Sequence, residues 1–225
     1  MSYESRAPAS LEEVTASIHS VFTDVCAARE KALGLSRQVI QHASRSIRAI
    51  HRREVGSATT ALEAASRITH ELKELLKHHP SLYWAGYVHD SQKEYVEAAA
   101  MLAIVQQLPI PSPTELDVEL PAYLNGLAEA ASESRRYVLD LLREQNSALA
   151  QQTLEIMDDI YFELISFDFP DAVTGGLRRT TDSLRAVLER TRADVTVTLV
   201  QQRLQQSLQI FQERIQSDQT LRERL

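Results

Sequence analysis

"QKEYVEAAA", residues 92–100, places two carboxylates inside a run that otherwise reads as the core of a helix. Glu94 and Glu97 are three residues apart, so on a helix they share one face about one turn apart. Their neighbours Tyr95, Val96, Ala98, Ala99, Ala100, Met101 and Leu102 are small or apolar. Such residues belong against other helices. The two acids therefore sit where a core face is expected, and the rest of the chain must say why.

The composition supports a helical reading. Only six glycines and seven prolines occur in 225 residues, and aromatics make up 6%. Good helix formers dominate. This length allows one sizeable core. The net charge of −7 favours solubility and gives no general attraction to nucleic acid unless basic residues gather locally. One cysteine excludes an internal disulfide framework, and its setting, VFTDVCAA, reads as a small buried residue. No signal-like segment and no apolar run of about 18 residues is present. A cytoplasmic protein without a membrane partner is expected.

The chain divides at its breakers. Residues 1–9 read as a flexible tail, and residues 10–225 as one helical-bundle domain. Ser10 and Glu13 have the spacing of a capping box. A long helix is expected from there to about Glu54, with Gly34 as a possible bend. Ser57 is read as the cap of a second helix reaching about His79, and Pro80 as the start of a third reaching about Gln107. "LPIPSPTELDVELP" is a connector with room for a single turn at Ser112–Leu116. Further helices are expected over about Pro121–Gln145 and Ser147–Phe167. After the joint "FDFPDAVTGG" a long final helix is expected. Its apolar positions, from Leu177 to Ile215, recur every three to five residues. Beyond Val200 it turns Gln- and Arg-rich, so Leu204, Leu208, Phe211 and Ile215 are expected to outrun the bundle and meet a partner chain. The reading is an all-α single bundle of about six to seven helices.

Glu94 and Glu97 have a counterpart in "AYLNGLAEAASESRRYVLDLL", residues 122–142, where Glu129 and Glu133 are four apart among small residues. No lysine neighbours them on that stretch, and Arg136 lies one turn past Glu133. Should the two helices pack together, four carboxylates converge and raise one another's pKa. A divalent cation relieves that repulsion, and all-oxygen ligation suits Mg²⁺ or Mn²⁺. Neither pair carries the Glu-x-x-His spacing of di-iron bundles, which disfavours redox iron. Spacing alone also fits solvated glutamate pairs.

The N-terminal helix adds a basic stripe. Between Arg29 and Arg53 seven basic residues stand against one acid, Glu30. At about 100° per residue, Arg37, Arg45, Arg48 and Arg52 fall within about 80° of one another. Val39, Ile40, Ala43, Ile47 and Ile50 fall opposite, and His42 and His51 are close by. Arginine forks suit phosphates, whereas solvated helix faces more often alternate in sign. Tyr83, Trp84 and Tyr87 fit either base stacking or a core cluster. Asp90, one turn before Glu94, fits either an outer ligand or a surface acid.

These stretches resemble the translin family, and within it the translin-associated factor X (TRAX) branch. "KEYVEA" at 93–98 and "AYLNGLAEAASESRR" at 122–136 are the most specific part. "SRQVIQHASRSIRAIHR" at 36–52 and "LRRTTDSLRAVLERTRADV" at 177–195 are similar to its basic and final helices. The resemblance spans about residues 30–200. It implies a bundle of about seven helices assembling into a hollow octamer that encloses RNA. The factor X branch implies metal-dependent endoribonuclease activity, with Glu94, Glu97, Glu129 and Glu133 as metal ligands and catalytic groups. Family members commonly carry Asp where this chain has Glu129. That keeps the charge and lengthens the reach.

The expectation is therefore a Mg²⁺- or Mn²⁺-dependent endoribonuclease subunit of a homo-oligomer, with Arg37, Arg45, Arg48 and Arg52 holding the RNA backbone. Its rivals are a non-catalytic shell binding RNA or single-stranded DNA, and an all-α nucleoside-triphosphate pyrophosphohydrolase, which also holds Mg²⁺ on Glu-x-x-Glu pairs.

Overall fold

The computed structural model describes residues 10–222, which form nine helical segments and no strand. The expected tail at 1–9 lies outside the described residues. Six long helices make the architecture: α1 (Leu11–His51), α2 (Val55–Leu76), α4 (Gly86–Gln106), α6 (Leu120–Arg143), α7 (Ser147–Ile165) and α9 (Leu177–Arg222). Single turns α3 (Pro80–Tyr83), α5 (Pro113–Leu116) and α8 (Asp171–Thr174) sit in the joints.

α4 and α6 form the centre. The α1–α2 hairpin packs on α4, and the α7–α9 pair packs on α6. α4 is buried on nearly every side from Ala98 to Ile104, which is why its apolar residues form a continuous run instead of a stripe. α4 and α6 run parallel. Lys93 meets Glu129 near their starts, and the Ser134 hydroxyl reaches the Met101 sulfur further on. α9 follows the same direction, since Thr180 bonds Asn125 and Arg135 pairs with Asp194.

Parallel neighbours need a connection that returns the length of α4, roughly 30 Å for 21 residues. Residues 107–119 supply it, and three prolines hold the chain extended. Ser112 caps the intervening turn with Glu115 as a capping box. The connector is anchored at the start of α4 by Glu119, whose N–H donates to Gln92 and whose carboxylate accepts from the Tyr83 hydroxyl at 2.6 Å.

Several boundaries differ from the sequence expectation. Ser10 and Glu13 do cap α1 as a box, and α1 runs unbroken through Gly34. α2 begins at Val55, so Ser57 lies inside its first turn and does not cap it. The expected third helix is broken: Ala85 is extended (ψ 147°), separating the turn at Pro80 from α4. That kink frees Tyr83 to reach Glu119. Cys26 is exposed, not buried, because residues 11–24 of α1 project beyond the bundle and are exposed on every face. The far end of α9 projects likewise, with Leu204, Leu208, Phe211 and Ile215 all exposed. Because α1 and α9 run in the same direction, these two projections leave opposite ends. Among the described residues no helix is long and apolar enough to cross a membrane.

Candidate metal centre

The site begins with a glycine. A Cβ at Gly126 would lie 2.6 Å from the Val96 Cβ and 2.7 Å from the Lys93 carbonyl oxygen. Only glycine permits so close an approach of α6 to α4. The parallel register then sets Glu94 and Glu97 of α4 beside Glu129 of α6. Their carboxylate oxygens come within 4.8 Å of one another, each residue partly buried.

The electrostatics follow from this crowding. Burial, then Glu94, Glu129 and Glu133, push the Glu97 carboxyl up from 4.5 to about 8. Glu94 is raised too, by burial first and by the Glu129 charge second. Three carboxylates crowded this closely make a donor set suited to a hard divalent cation. The sequence placed four acids together. The structure brings three into the cluster and holds the fourth beside it. Glu133 accepts a hydrogen bond of 2.6 Å from His51 Nε2, and the His51 side chain is only 4% exposed. His51 Nδ1 is buried and has no partner among the described residues.

A second compensating group is Lys93. Its ammonium lies 2.8 Å from Glu129 Oε1, so Glu129 does have a lysine neighbour, supplied by the other helix. Burial alone would lower Lys93, but the Glu129 hydrogen bond and the surrounding acids outweigh it and raise its pKa. Asp90 stands outside the cluster and adds its charge to the rise at Glu94. Sequence reasoning linked neither Lys93 nor His51 to the acids. Lys93 was visible in the opening stretch, next to Glu94. His51 carried no local signal for this role, because it depends on α1 lying against α6.

The basic residues occupy a different face. Arg37, Arg45, Arg48 and Arg52 are all exposed, while Val39, Ala43 and Ile50 are buried opposite them. Arg45, Arg48 and Arg52 line a groove of about 630 Å³ between α1 and α2, with His42 and Arg67. Arg67, on α2, is a member that the single-helix periodicity did not include. Arg37 does not line the groove. Arg52 is engaged by both Glu54 carboxylate oxygens at 2.9 and 3.0 Å. The aromatic group divides as well. Burial, then the Glu119 bond, push the Tyr83 hydroxyl up to about 12. Trp84 stacks edge-on against it and is largely exposed.

No family model matches the chain. It is 33% identical over 174 residues, 77% of either chain, to the uncharacterized protein MJ0175 of Methanocaldococcus jannaschii. It superposes on the crystal structure of AfC3PO with a TM-score of 0.77 and 32% identity, covering 83% of this chain and 97% of that one. On the structure of AfC3PO in complex with duplex RNA the TM-score is 0.76 at 32% identity, covering 83% and 96%. Apo-NeC3PO gives 0.76 over 85% of this chain and 100% of that one. At 20% identity it shares the fold alone.

Proposed function

Because the chain belongs to the C3PO family of translin-like helical proteins, we propose that it is a metal-dependent endoribonuclease subunit of the factor X type, acting within an RNA-enclosing homo-oligomer. The observation that carries this reading is the convergence of Glu94, Glu97 and Glu129 in a chain that covers nearly all of a protein solved with duplex RNA.

Glu94, Glu97 and Glu129 would hold one or two divalent cations, Mg²⁺ or Mn²⁺. Such a cation supplies Lewis-acid polarisation of a phosphate oxygen and lowers the pKa of a nearby water. The chain's own groups do the rest. Glu133, kept beside the triad by the His51 bond to Oε1, accepts the proton of the attacking water at Oε2. The water oxygen forms its bond to phosphorus, the bond to the leaving ribose oxygen breaks, and that oxygen takes up a proton from solvent. Arg37, Arg45, Arg48 and Arg67 bind phosphates of the strand without reading its bases. Arg52 joins them when it leaves Glu54. The exposed apolar residues of the α1 and α9 projections supply contacts between copies, and a closed shell of eight is the assembly that the family resemblance implies.

The test is incubation of the pure protein with labelled RNA, single-stranded and duplex, in Mg²⁺ or Mn²⁺ and in excess chelator. Endonucleolytic fragments that vanish with chelator support the reading. RNA intact in every lane sinks it. One observation favours the rival of a non-catalytic RNA-binding shell: two of the four acids already have partners, Lys93 on Glu129 and His51 on Glu133. That rival predicts RNA affinity indifferent to chelator and no fragments.

A further inference from the structure

Beside the triad, on the side of α9, lies a cavity of about 480 Å³. Glu129 and Lys93 form the wall that it shares with the acid cluster, and Ser132, Arg179, Thr180 and Ser183 line it further out. Its volume is in the range that accommodates a small ligand.

The wall is rigidly built. Asn125, 2% exposed, donates to the carbonyls of Pro121 and Thr174, both at 2.8 Å, and accepts from the Thr180 hydroxyl at 2.7 Å. These bonds pin the joint before α9 onto α6. Gly175 there has φ +63°, and a Cβ on it would come within 2.9 Å of His89 Nε2. The loop therefore closes tightly over the start of α4 on this side of the cavity.

Its chemistry points to one kind of ligand. Arg178 pairs with Asp168, but Arg179 is exposed and has no ion pair among the described residues. Lys93 in the same cavity is committed to Glu129, and Asp90 also lines it, so the Arg179 guanidinium, without a carboxylate partner among the described residues, is the group there that can take a phosphate. The Ser132 hydroxyl donates to the Ala128 carbonyl, and the Ser183 hydroxyl donates to the Arg179 carbonyl. With their hydrogens so used, both oxygens offer lone pairs to the cavity. They suit a ligand that brings donors, as ribose hydroxyls do.

We propose that this cavity is a subsite for one ribonucleotide of the strand beside the triad, with Arg179 holding its phosphate and Ser132 and Ser183 accepting from its ribose hydroxyls. The inference rests on the hydrolase reading for its orientation. It also adds a discrimination of RNA from DNA that the acids do not supply.

Calorimetric titration of the full-length protein with adenosine 5′-monophosphate and its 2′-deoxy analogue, in magnesium, tests it. Saturable binding of the ribonucleotide is expected. Arg179→Ala should weaken it about tenfold or more, as loss of a charge-assisted hydrogen bond does, and Arg179→Lys should fall between. The deoxy analogue should bind several-fold more weakly, and Ser183→Ala should narrow that gap. Unchanged affinity in Arg179→Ala, or no saturable binding at millimolar nucleotide, overturns the subsite even where Glu97→Gln abolishes RNA cleavage. Nucleotide held through Arg179 by a protein that cuts no RNA supports the subsite and removes the hydrolase reading.

Discussion

Replacing Glu97 by Gln removes one charge from the acid cluster and leaves the shape nearly unchanged. In the metal-free folded chain this carboxyl is held protonated up to about pH 8, against an ordinary value of 4.5. The unfolded chain releases the proton near that ordinary value. Between the two values the folded state binds more protons than the unfolded one, so wild-type stability falls as pH rises. The amide introduced by Glu97→Gln has no proton to release in this range, so the mutant escapes that fall. The mutant and wild type should therefore melt alike near the lower value. They should separate as pH rises and keep a constant gap above about 8.

The full rise corresponds to roughly 5 kcal/mol at about 1.36 kcal/mol per pH unit. The acids can relax apart and water reaches a partly buried site, so about 2–3 kcal/mol is the expected gap. At about 2–4 °C per kcal/mol for a chain of this size, the mutant should melt about 4–12 °C higher at high pH. The assay is thermal unfolding in chelator, at about pH 5 and about pH 9, the two sides of the linkage window. Added Mg²⁺ should then reverse the order, because a cation that binds only the folded chain stabilises the protein with the better site. A mutant that melts below wild type at both pH values, or a gap independent of pH, would refute the crowding argument.

Three further outcomes follow from the same structure. Charge reversal of Arg45 and Arg48 together should weaken RNA binding, and each lost phosphate contact should lower the log–log salt slope by roughly 0.7 for a single strand. An unchanged slope, measured by filter binding across a salt series, would leave the groove as a solvated face. Gly126→Ala should force α6 off α4 and destabilise the fold by about 1–3 kcal/mol, with calorimetric Mg²⁺ affinity lowered beyond what a control at Gly56 shows; wild-type affinity would contradict the close-approach argument. Leu208→Glu with Phe211→Glu should reduce the mass seen by light scattering, and an unaltered mass would place the assembly contacts elsewhere.

How much of this was legible beforehand depends on how local each cause is. The helices, the capping box of Ser10 with Glu13 and the single turn at Ser112–Leu116 are set by residues within one turn. They could be read directly. So could the shared faces of Glu94 with Glu97 and of the four arginines. The break at Ala85 could not, because it accompanies a Tyr83 hydroxyl bond to Glu119, 36 residues away. Cys26 misled for a related reason: apolar neighbours in sequence do not say what covers them, and the start of α1 has nothing over it among the described residues. The identities of the acids were visible, but their partners were not. Lys93 reaches across helices to Glu129, and His51 comes from 82 residues before Glu133.

Those partners explain how the chain tolerates four acids in one place before any cation arrives. Lys93 compensates Glu129, His51 binds Glu133, and Glu97 keeps its proton. Each device must be partly undone for a cation to bind, and this makes binding depend on pH in a defined direction. Glu97 has to lose its proton to become a ligand, so protons compete with the metal below about pH 8. Lys93, raised above its ordinary 10.5, stays charged throughout that range and contributes no slope. Apparent Mg²⁺ affinity should then rise with pH by up to about tenfold per unit as the Glu97 carboxyl is approached from below, and level off above it. Calorimetric titrations from about pH 6 to about pH 9 in two buffers of different ionisation enthalpy would show the slope and the proton released per metal bound. Glu97→Gln should bind more weakly at high pH and show a shallower slope. A wild-type affinity flat across this range, with no proton released, would mean that Glu97 is not displaced by the metal and that the cation, if bound, sits elsewhere.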